Sequence, residues 1–334
     1  MKKIAVIGAG SWGTALSIAL SRSRSPHRVS LWVYEKEVAD SLRERRVNDV
    51  FLSGFEVPRE IEITQDLAEA LREAAIVLGV MPSAHARGLY RAMLAHITSQ
   101  TAIVSATKGL EPETLLRMTQ VIEQVVSPKF PPRVAALSGP SFAREVARGD
   151  PTAVVIASAD ASLAAEIQEE ISGPMLRLYA NTDVAGVELG GAVKNVIAIA
   201  AGVIEGLGFG NNTTAALITR GLAEMSRLGA ALGARPETMA GLAGMGDLVL
   251  TCTGALSRNR SVGVELGKGR KLEEITGSMR MVAEGVETTA ATRTLARRLN
   301  IEMPITEQMY AVLYEGRSPR DAIRELMERR LKHE

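Results

Sequence analysis

Short continuous apolar runs recur through the first half of the chain, separated by stretches with helical spacing. The apolar runs show no apolar/polar alternation, which is typical of parallel strands that are covered on both faces. The alternation of strand-like and helical stretches predicts an α/β fold with a doubly wound parallel sheet. The predicted strands are residues 4–7, 29–33, 76–80, 102–105, 134–137, 153–157 and 176–179, and the predicted helices include 66–74, 113–126 and 161–171.

The pattern changes near Asn181, after which strand candidates almost disappear. Residues 306, 309, 312 and 313 show the three-and-four spacing of a helix buried on one face. The length of 334 residues suits two domains of roughly 100–200 residues each. We therefore predict a dinucleotide-binding domain over residues 1–180 and a mainly α-helical second domain over 181–334. The predicted helices of the second domain are 184–207, 214–232, 283–299, 305–314 and 319–332.

The charge balance excludes several classes of protein. Lys and Arg number 39 and Asp and Glu number 38, so the net charge is +1, which argues against a protein that coats nucleic acid or an anionic membrane. Hydrophobic residues make up 46% and charged residues 23%, which is typical of a globular protein and not of a disordered one. The basic residues at 329–332 are weak support for binding nucleic acid.

Cysteine and the N-terminus limit the chemistry and the location further. Cys252 is the single cysteine, so no internal disulfide or cysteine-based zinc site is expected, and four scattered histidines make a metal site unexpected. The apolar run at residues 4–7 ends at glycines, so we do not expect a signal peptide there. No uninterrupted run of about 18 apolar residues occurs, and no membrane span is expected. We expect a cytoplasmic protein.

A glycine-rich loop follows the first predicted strand and precedes a helix. Gly8, Gly10 and Gly13 form the pattern GxGxxG, with Ser11 and Trp12 inside it. In a dinucleotide-binding turn, the first glycine permits the tight turn, the second lets the backbone approach a pyrophosphate, and the third lets helix and strand pack closely. The N-terminus of the helix attracts phosphate. The strand–loop–helix context favours a Rossmann-type cofactor domain over a turn without a ligand.

The end of the second predicted strand bears on cofactor choice. An acidic side chain there can accept hydrogen bonds from the adenosine ribose, whereas a basic one pairs with the 2′-phosphate of NADP. Glu35, which follows Tyr34, favours NAD, and Lys36 keeps NADP open. Both charges can equally be solvated loop residues.

Other strand ends carry polar residues where ligands bind in an open parallel sheet. Lys108, in the segment 107–109, can hold an anionic or carbonyl substrate, or it can be a surface lysine. Ser141, in the segment 138–141, is placed to begin a helix.

Lys194 lies in an otherwise apolar helical segment, with small residues three or four positions away. Gly190 and Gly191 each cost about 1 kcal/mol in a helix relative to alanine, which indicates a close approach there. A desolvated lysine has a lowered pKa and can act as an acid or a base at neutral pH. The alternative is a lysine whose stem covers apolar surface while its ammonium reaches water.

Two further segments add chemistry. Asp247 stands in a glycine turn, where it can tune a lysine or cap a helix. Ser257, Arg258 and Asn259 provide a hydroxyl, a guanidinium and an amide, which can form a phosphate clamp or a polar surface loop. Cys252 is expected to be a buried structural thiol.

Nine blocks together carry a resemblance to a known family. In this order and number they make the chain similar, essentially end to end, to the bacterial NAD(P)-dependent sn-glycerol-3-phosphate dehydrogenases. The blocks are GAGSWGTAL (8–16), ATKGLEP (106–112), LSGPSFAREV (137–146), GVELGGAVKNVIAIAAG (186–202), NNTTAALITRGLAEM (211–225), GLAGMGDLVLTCTG (241–254), SRN (257–259), EGVETT (284–289) and MPITE (303–307).

The resemblance implies reversible hydride transfer between sn-glycerol 3-phosphate and the nicotinamide of NAD or NADP, with dihydroxyacetone phosphate as the keto product, for glycerophospholipid synthesis. It implies that Lys194 is the general acid/base, with Lys108 and Asp247 beside it. The other implied substrate residues are Gly139, Ser141, Ser257, Arg258 and Asn259. Beyond the glycine loop, the resemblance implies cofactor contacts by Ala143, Arg258, Val282 and Glu284. We also assign Tyr34, Glu35 and Lys108 to the cofactor site.

One departure affects the cofactor. The family often carries a basic residue at the end of the second strand, where this chain has Tyr34 and Glu35. We therefore expect NAD(H) to be used at least as well as NADP(H). Two alternatives remain: a β-hydroxyacid dehydrogenase, which would need a carboxylate-binding group in place of the phosphate clamp, and a non-catalytic NAD(H) sensor, which would not need the two lysines. The apolar faces of the helical domain lead us to expect a homodimer.

Overall fold

The structure, a computed structural model, describes residues 1–277, 279 and 283–330. Within this part, the chain forms ten strands and a larger number of helices. The strands are β1 (Lys2–Ile7), β2 (His27–Trp32), β3 (Val47–Asn48), β4 (Leu52–Glu56), β5 (Glu62–Thr64), β6 (Ala74–Gly79), β7 (Ala102–Ser105), β8 (Arg133–Ser138), β9 (Thr152–Ala157) and β10 (Leu176–Asn181).

Eight of these described strands form one sheet in the order β10-β9-β8-β7-β6-β1-β2-β5. In this order, each strand from β8 to β2 is parallel to the strand that follows it. Alternate residues of β1 enter opposite cores, Ile4 and Val6 on one face and Ala5 and Ile7 on the other. The sheet is therefore covered on both faces, as the continuous apolar runs predict.

The predicted doubly wound parallel sheet is confirmed, with one antiparallel pair at its end. β9 pairs with β8 in the antiparallel direction, with Ser138 beside Val155, and β10 is parallel to β9. The helix between β8 and β9 has six residues (Ala143–Arg148) and is about 9 Å long, less than half of a strand of about 20 Å. The chain therefore starts β9 near the edge where β8 ends. An apolar run indicates burial on both faces, but not strand direction.

Helices cover the two faces of the sheet. They are α1 (Ser11–Leu20), α2 (Lys36–Arg45), α3 (Leu67–Leu71), α4 (Ser83–Met93), α5 (Met118–Val126), α6 (Ala143–Arg148) and α7 (Ala161–Ile171). The predicted helix over 113–126 begins only at Met118, because residues 110 and 117 form a bridge before it. The short strands β3, β4 and β5 were not predicted, since β4 is largely exposed and has no continuous apolar run.

The second part of the described chain is helical, as predicted. Its elements are α8 (Val184–Gly206), α9 (Asn211–Ala231), α10 (Pro236–Ala240), a π-helical turn (Leu242–Gly246), α11 (Asp247–Thr253), α12 (Arg258–Gly267), α13 (Leu272–Gly277), α14 (Gly285–Arg298), α15 (Pro304–Tyr314) and α16 (Pro319–Met327). The helix predicted over 319–332 ends at Met327, and residues 331–332 lie outside the described residues.

α8 is the central helix of this part. By length and composition it could cross a membrane, but its apolar window is wholly buried inside the protein, as in a core helix. A Cβ atom on Gly190 would lie 2.4 Å from the Ala243 carbonyl oxygen, and one on Gly191 would lie 2.3 Å from Ser138 Oγ. The predicted close approach at these two glycines is therefore confirmed. It brings the middle of α8 against the end of β8 and the π-helical turn.

Candidate active site

The glycine loop joins β1 to α1 in a tight turn. Gly8 has a φ of +116°, and a Cβ atom there would lie 2.3 Å from the Val80 carbonyl oxygen. A Cβ atom on Gly13 would lie 1.8 Å from the Gly8 carbonyl oxygen, so the close packing of α1 requires glycine. A Cβ atom on Gly10 would meet no atom within 4 Å. Gly8 and Gly13 thus shape the turn, while Gly10 faces open space.

The loop fits a dinucleotide pyrophosphate. Gly10 is the N-cap of α1 and has no side chain to bond the first N–H groups, which belong to residues including Ser11 and Trp12. Free N–H groups and the positive end of the helix dipole bind phosphate oxygens. The open space at Gly10 lets such a group approach the backbone.

The end of β2 carries the residues predicted to bind adenosine. Tyr34 is 76% exposed, and its ring lies 6.0 Å from that of Trp32. Glu35 is the N-cap residue of α2. The Lys36 ammonium lies 2.5 Å from Asp40 Oδ2, so its charge is paired within the same helix.

Lys108 lies where the ends of β7 and β8 meet. Its side chain is 16% exposed, so the surface-lysine alternative was wrong. Its Nζ donates to the Gly139 carbonyl at 2.7 Å, to Ser141 Oγ at 3.3 Å and to Asp247 Oδ2 at 2.8 Å. All three protons of this ammonium therefore have a protein partner, and the predicted residues Gly139 and Ser141 lie beside it.

Lys194 projects from the middle of α8 into the same cluster. Its side chain is 7% exposed, so the alternative of an ammonium that reaches water was wrong. Nζ donates to Asp247 Oδ1 at 2.5 Å and to Thr251 Oγ1 at 2.7 Å. The Thr251 hydroxyl in turn donates to the Asp247 carbonyl at 2.6 Å, which leaves its lone pair for the lysine. Among the described residues, these contacts use two of the three protons of Lys194.

The surroundings change the acidity of Lys194. The pKa of Lys194 falls from 10.5 to about 8, because burial and the neighbouring Lys108 ammonium lower it more than the Asp247 carboxylate raises it. A lysine with a pKa near 8 exists in both protonation states close to neutral pH, which suits a proton donor and acceptor. Cys252 is buried, as predicted, and burial raises the pKa of its thiol to about 12, so the thiol stays protonated.

The SRN segment starts α12. Ser257 is the N-cap residue, and its Oγ accepts a hydrogen bond from the Arg260 N–H at 3.2 Å. Asn259 is buried: its Nδ2 donates to Asn195 Oδ1 at 2.9 Å, and its Oδ1 accepts from the Gly285 N–H at 3.0 Å. The segment is therefore not a loose surface loop. Asn195 also donates to the Lys108 carbonyl at 3.2 Å, which connects α12 and α8 with the end of β7.

Glu284 lies near Arg258 and near the two lysines. Arg258 is exposed at the N-terminal end of α12. Desolvation raises the pKa of Glu284 to about 7, against the opposing charges of Arg258, Lys108 and Lys194. Ala143 is partly buried at the start of α6. Val282, also predicted to contact the cofactor, lies outside the described residues.

Two residues in the cluster were missed by the sequence predictions. Thr251 follows Asp247 by four residues, and on a helix that spacing puts both on one face, which could have identified it. Asn195 follows Lys194 directly and carries no distinct signal. Among the described residues, no group of three or more His, Cys, Asp or Glu side chains is placed to hold a metal ion.

Two family models match the chain, one in each half. Residues 3–164 match the NAD-dependent glycerol-3-phosphate dehydrogenase N-terminus, and residues 183–324 match the C-terminus of the same family. A glycerol-3-phosphate dehydrogenase (NAD(P)+) of Koribacter versatilis is 61% identical over 330 residues, which cover 98% of each chain. Its counterpart in Citrifermentans bemidjiense is 55% identical over 333 residues, covering 100% of this chain and 99% of the relative.

Solved structures agree with these matches. Glycerol-3-phosphate dehydrogenase from Coxiella burnetii superposes with a TM-score of 0.92 at 40% identity, covering 98% of this chain and 99% of that one. D-mandelate dehydrogenase in complex with NADH has a TM-score of 0.61 at 12% identity, covering 94% and 98%. The second likeness shows a shared fold alone, so the fold does not by itself identify the substrate.

Proposed function

The chain belongs to the NAD-dependent glycerol-3-phosphate dehydrogenase family, and on this basis we propose how its residues divide the reaction. The enzyme interconverts dihydroxyacetone phosphate and sn-glycerol 3-phosphate by reversible hydride transfer with NAD or NADP, and it supplies glycerol 3-phosphate for glycerophospholipid synthesis. Matches to dehydrogenases over the full length make a non-catalytic sensor or another hydroxyacid substrate the weaker alternatives.

Lys194 is the general acid/base at the C2 oxygen of the substrate. The observation that carries this role is a buried ammonium with two protein partners and a third proton left for a ligand. When the ketone is reduced, negative charge develops on its oxygen, which the ammonium stabilises and then protonates. When the alcohol is oxidised, the neutral amine accepts the hydroxyl proton. The cofactor, when bound, supplies or accepts the hydride.

Asp247 and Lys108 prepare Lys194 for this task. Asp247 bridges the two ammonium groups, so the three side chains together carry one positive charge, which suits a developing oxyanion. All three protons of Lys108 have protein partners, so this lysine can bind a substrate only if it gives up one of those hydrogen bonds. Its contact with Ser141 is the longest of the three. Gly139 and Ser141 complete this side of the substrate site.

The substrate phosphate binds at the start of α12. Arg258 offers a guanidinium fork there, and the N-terminus of a ten-residue helix adds a favourable dipole. Asn259 keeps one amide proton beyond its bond to Asn195, and Ser257 caps the helix that presents both. Together these residues would make the site select a substrate with a phosphate group over one with a carboxylate group.

A dinucleotide would be held at the carboxyl ends of the strands. The glycine loop would hold its pyrophosphate, with Gly8, Gly10, Ser11, Trp12 and Gly13 forming the turn. The open space at Gly10 supports this placement. The remaining cofactor contacts are assigned to Tyr34, Glu35, Lys108, Ala143, Arg258, Val282 and Glu284.

We also divide the chain into a cofactor domain, residues 1–180, and a helical domain, residues 181–334.

The enzyme works in the cytoplasm as a homodimer. Exposed apolar side chains in the helical domain support the dimer, namely Phe209, Met245, Val249 and Leu256, each between 42 and 44% exposed. Gel filtration with light scattering tests it, and a single species of 35.7 kDa would refute it.

The reaction assignment is tested by following oxidation of NADH and of NADPH with dihydroxyacetone phosphate. Wild type should turn over, and Lys194→Ala should lose at least about 10²–10⁴-fold in kcat, the contribution of general acid–base catalysis. Circular dichroism must show that the variant is folded. Bound dinucleotide without turnover in wild type would overturn the assignment.

A further inference from the structure

Asn48, in the unpredicted strand β3, contacts the glycine loop from the side. The residue is fully buried. Its Nδ2 donates to the Ala9 carbonyl oxygen at 2.7 Å and to Thr14 Oγ1 at 2.8 Å, and its Oδ1 accepts from the Phe51 N–H at 3.0 Å. Both amide protons and the carbonyl oxygen are thus used, and two of the three contacts go to the loop and to α1.

The contact with Ala9 determines the orientation of one peptide group. No described peptide bond is cis, so the Ala9 carbonyl and the Gly10 N–H point in opposite directions from one planar unit. Because Asn48 holds the carbonyl, the Gly10 N–H points away from the β3–β4 hairpin. Gly10 is the loop residue around which a Cβ atom would find open space.

We propose that Asn48 is a positioning residue for the cofactor pyrophosphate. It holds the Ala9–Gly10 peptide with its N–H turned toward the phosphate side of the loop, before any ligand binds. This inference rests on the proposed placement of the pyrophosphate on the glycine loop. Pre-orientation matters because a peptide that is free to rotate must be ordered when the ligand binds, which weakens binding.

The hairpin does not need Asn48 as its anchor. Leu52 of β4 is buried in the main core of the sheet. At the far end, the Arg144 guanidinium lies 5.3 Å from the centre of the Phe55 ring and donates to the Ser53 carbonyl at 3.4 Å. The hairpin is therefore attached to the domain at points that do not involve the glycine loop.

The test measures ligand binding by calorimetry, without catalysis. Asn48→Ser keeps an oxygen for the Phe51 N–H but cannot reach Ala9. We expect ADP-ribose, which contains the pyrophosphate, to bind about tenfold more weakly to this variant, a change of about 1.4 kcal/mol. Adenosine, which lacks phosphate, should bind as in wild type. In steady state, KM for NADH should rise by a similar factor, with kcat at saturation unchanged.

Two further variants separate the possible causes. Arg144→Met loosens the hairpin at its far end, and it should leave ADP-ribose affinity unchanged. Gly10→Val adds a side chain where the protein has room, so it should fold normally and abolish ADP-ribose binding if the pyrophosphate lies on the loop. Normal binding by Gly10→Val would reject the proposed cofactor placement itself, and with it the role of Asn48.

The role of Asn48 is overturned on its own if Gly10→Val loses binding but Asn48→Ser does not. Equal weakening of adenosine and ADP-ribose in Asn48→Ser would also overturn it, since a general distortion of the domain affects both ligands. If Asn48→Ser does not fold, Asn48→Asp provides the same test. Its shape is conserved, but it places a carboxylate oxygen against the Ala9 carbonyl.

Discussion

The carboxylate of Asp247 accepts a hydrogen bond from Lys194 across 53 positions of sequence, with Oδ1 2.5 Å from Nζ. The second oxygen of the same carboxylate binds Lys108. One carboxylate thus binds two ammonium groups, and in the proposed division Lys108 and Lys194 belong to different domains. The acidity of Lys194 is set by three opposing effects: burial and Lys108 lower its pKa, and Asp247 raises it.

The pH dependence should differ between the two directions of the reaction. Lys194 must be protonated to reduce the ketone and neutral to oxidise the alcohol. With a pKa of about 8, kcat/KM for dihydroxyacetone phosphate should fall as pH rises through 8. In the same range, kcat/KM for sn-glycerol 3-phosphate should rise. Initial rates between pH 6.5 and 9.5 measure both, and parallel profiles would contradict the assignment of Lys194 as acid/base.

Replacing Asp247 by Asn should move these profiles. The variant loses the charge that raises the pKa of Lys194, so the fall in the reduction rate should begin at lower pH. Because it leaves two ammonium groups without their shared acid, the variant should also unfold about 3–5 kcal/mol more easily. Urea denaturation measures the stability. A profile that stays at the wild-type pH would show that Asp247 does not tune Lys194.

Cofactor preference should favour NADH or show no preference. In the proposed cofactor site Glu35 would supply an acid for the adenosine ribose. Lys36 is paired with Asp40. Asp40→Asn should free the Lys36 charge for a 2′-phosphate and raise kcat/KM with NADPH by up to about fivefold, the range of an exposed ion pair. The measurement is the ratio of kcat/KM for the two cofactors.

The matched control for this experiment is Asp40→Asn combined with Lys36→Gln, in which the gain with NADPH should disappear. If kcat/KM with NADPH is still raised in the double variant, the Lys36 charge is not the cause of the gain. A wild-type kcat/KM with NADPH tenfold or more above that with NADH would refute the interpretation of Glu35.

Glu224 on α9 should be important for stability and not for chemistry. Its carboxylate is buried and accepts hydrogen bonds from the Ile305 N–H at 2.6 Å, the Thr306 N–H at 3.2 Å and Thr306 Oγ1 at 3.1 Å, at the start of α15. Glu224→Ala should destabilise the protein by about 2–4 kcal/mol, because it leaves these buried donors unpaired. The exposed Glu237→Ala is the control, with a change within about 0.5 kcal/mol. Equal urea midpoints for the two variants would contradict this role.

Local patterns carried most of the fold prediction. All seven predicted strands occur, since a run of apolar residues between turns is a property of the run itself. The sequence did not predict β4, because this strand is short and mostly exposed. Its residues form no apolar run, so the strand becomes evident only from its pairing with β3. α5 starts later than predicted because its first turn is replaced by a bridge between Leu110 and Arg117, which no periodicity signals.

The sequence by itself determined the glycine loop, the two-part organisation, the resemblance to the family and the small residues around Lys194, because these depend on neighbours within a few positions. Only the tertiary structure decided the direction of β9, the bridging of two lysines by Asp247 and the contact of Asn48 with the glycine loop. The Lys108–Asp247 contact spans 139 positions and the Asn48–Ala9 contact spans 39. Contacts over such separations depend on how the whole chain packs. The local sequence does not show whether a polar side chain caps a helix, bridges two residues or faces solvent, so only the packed chain decides its role.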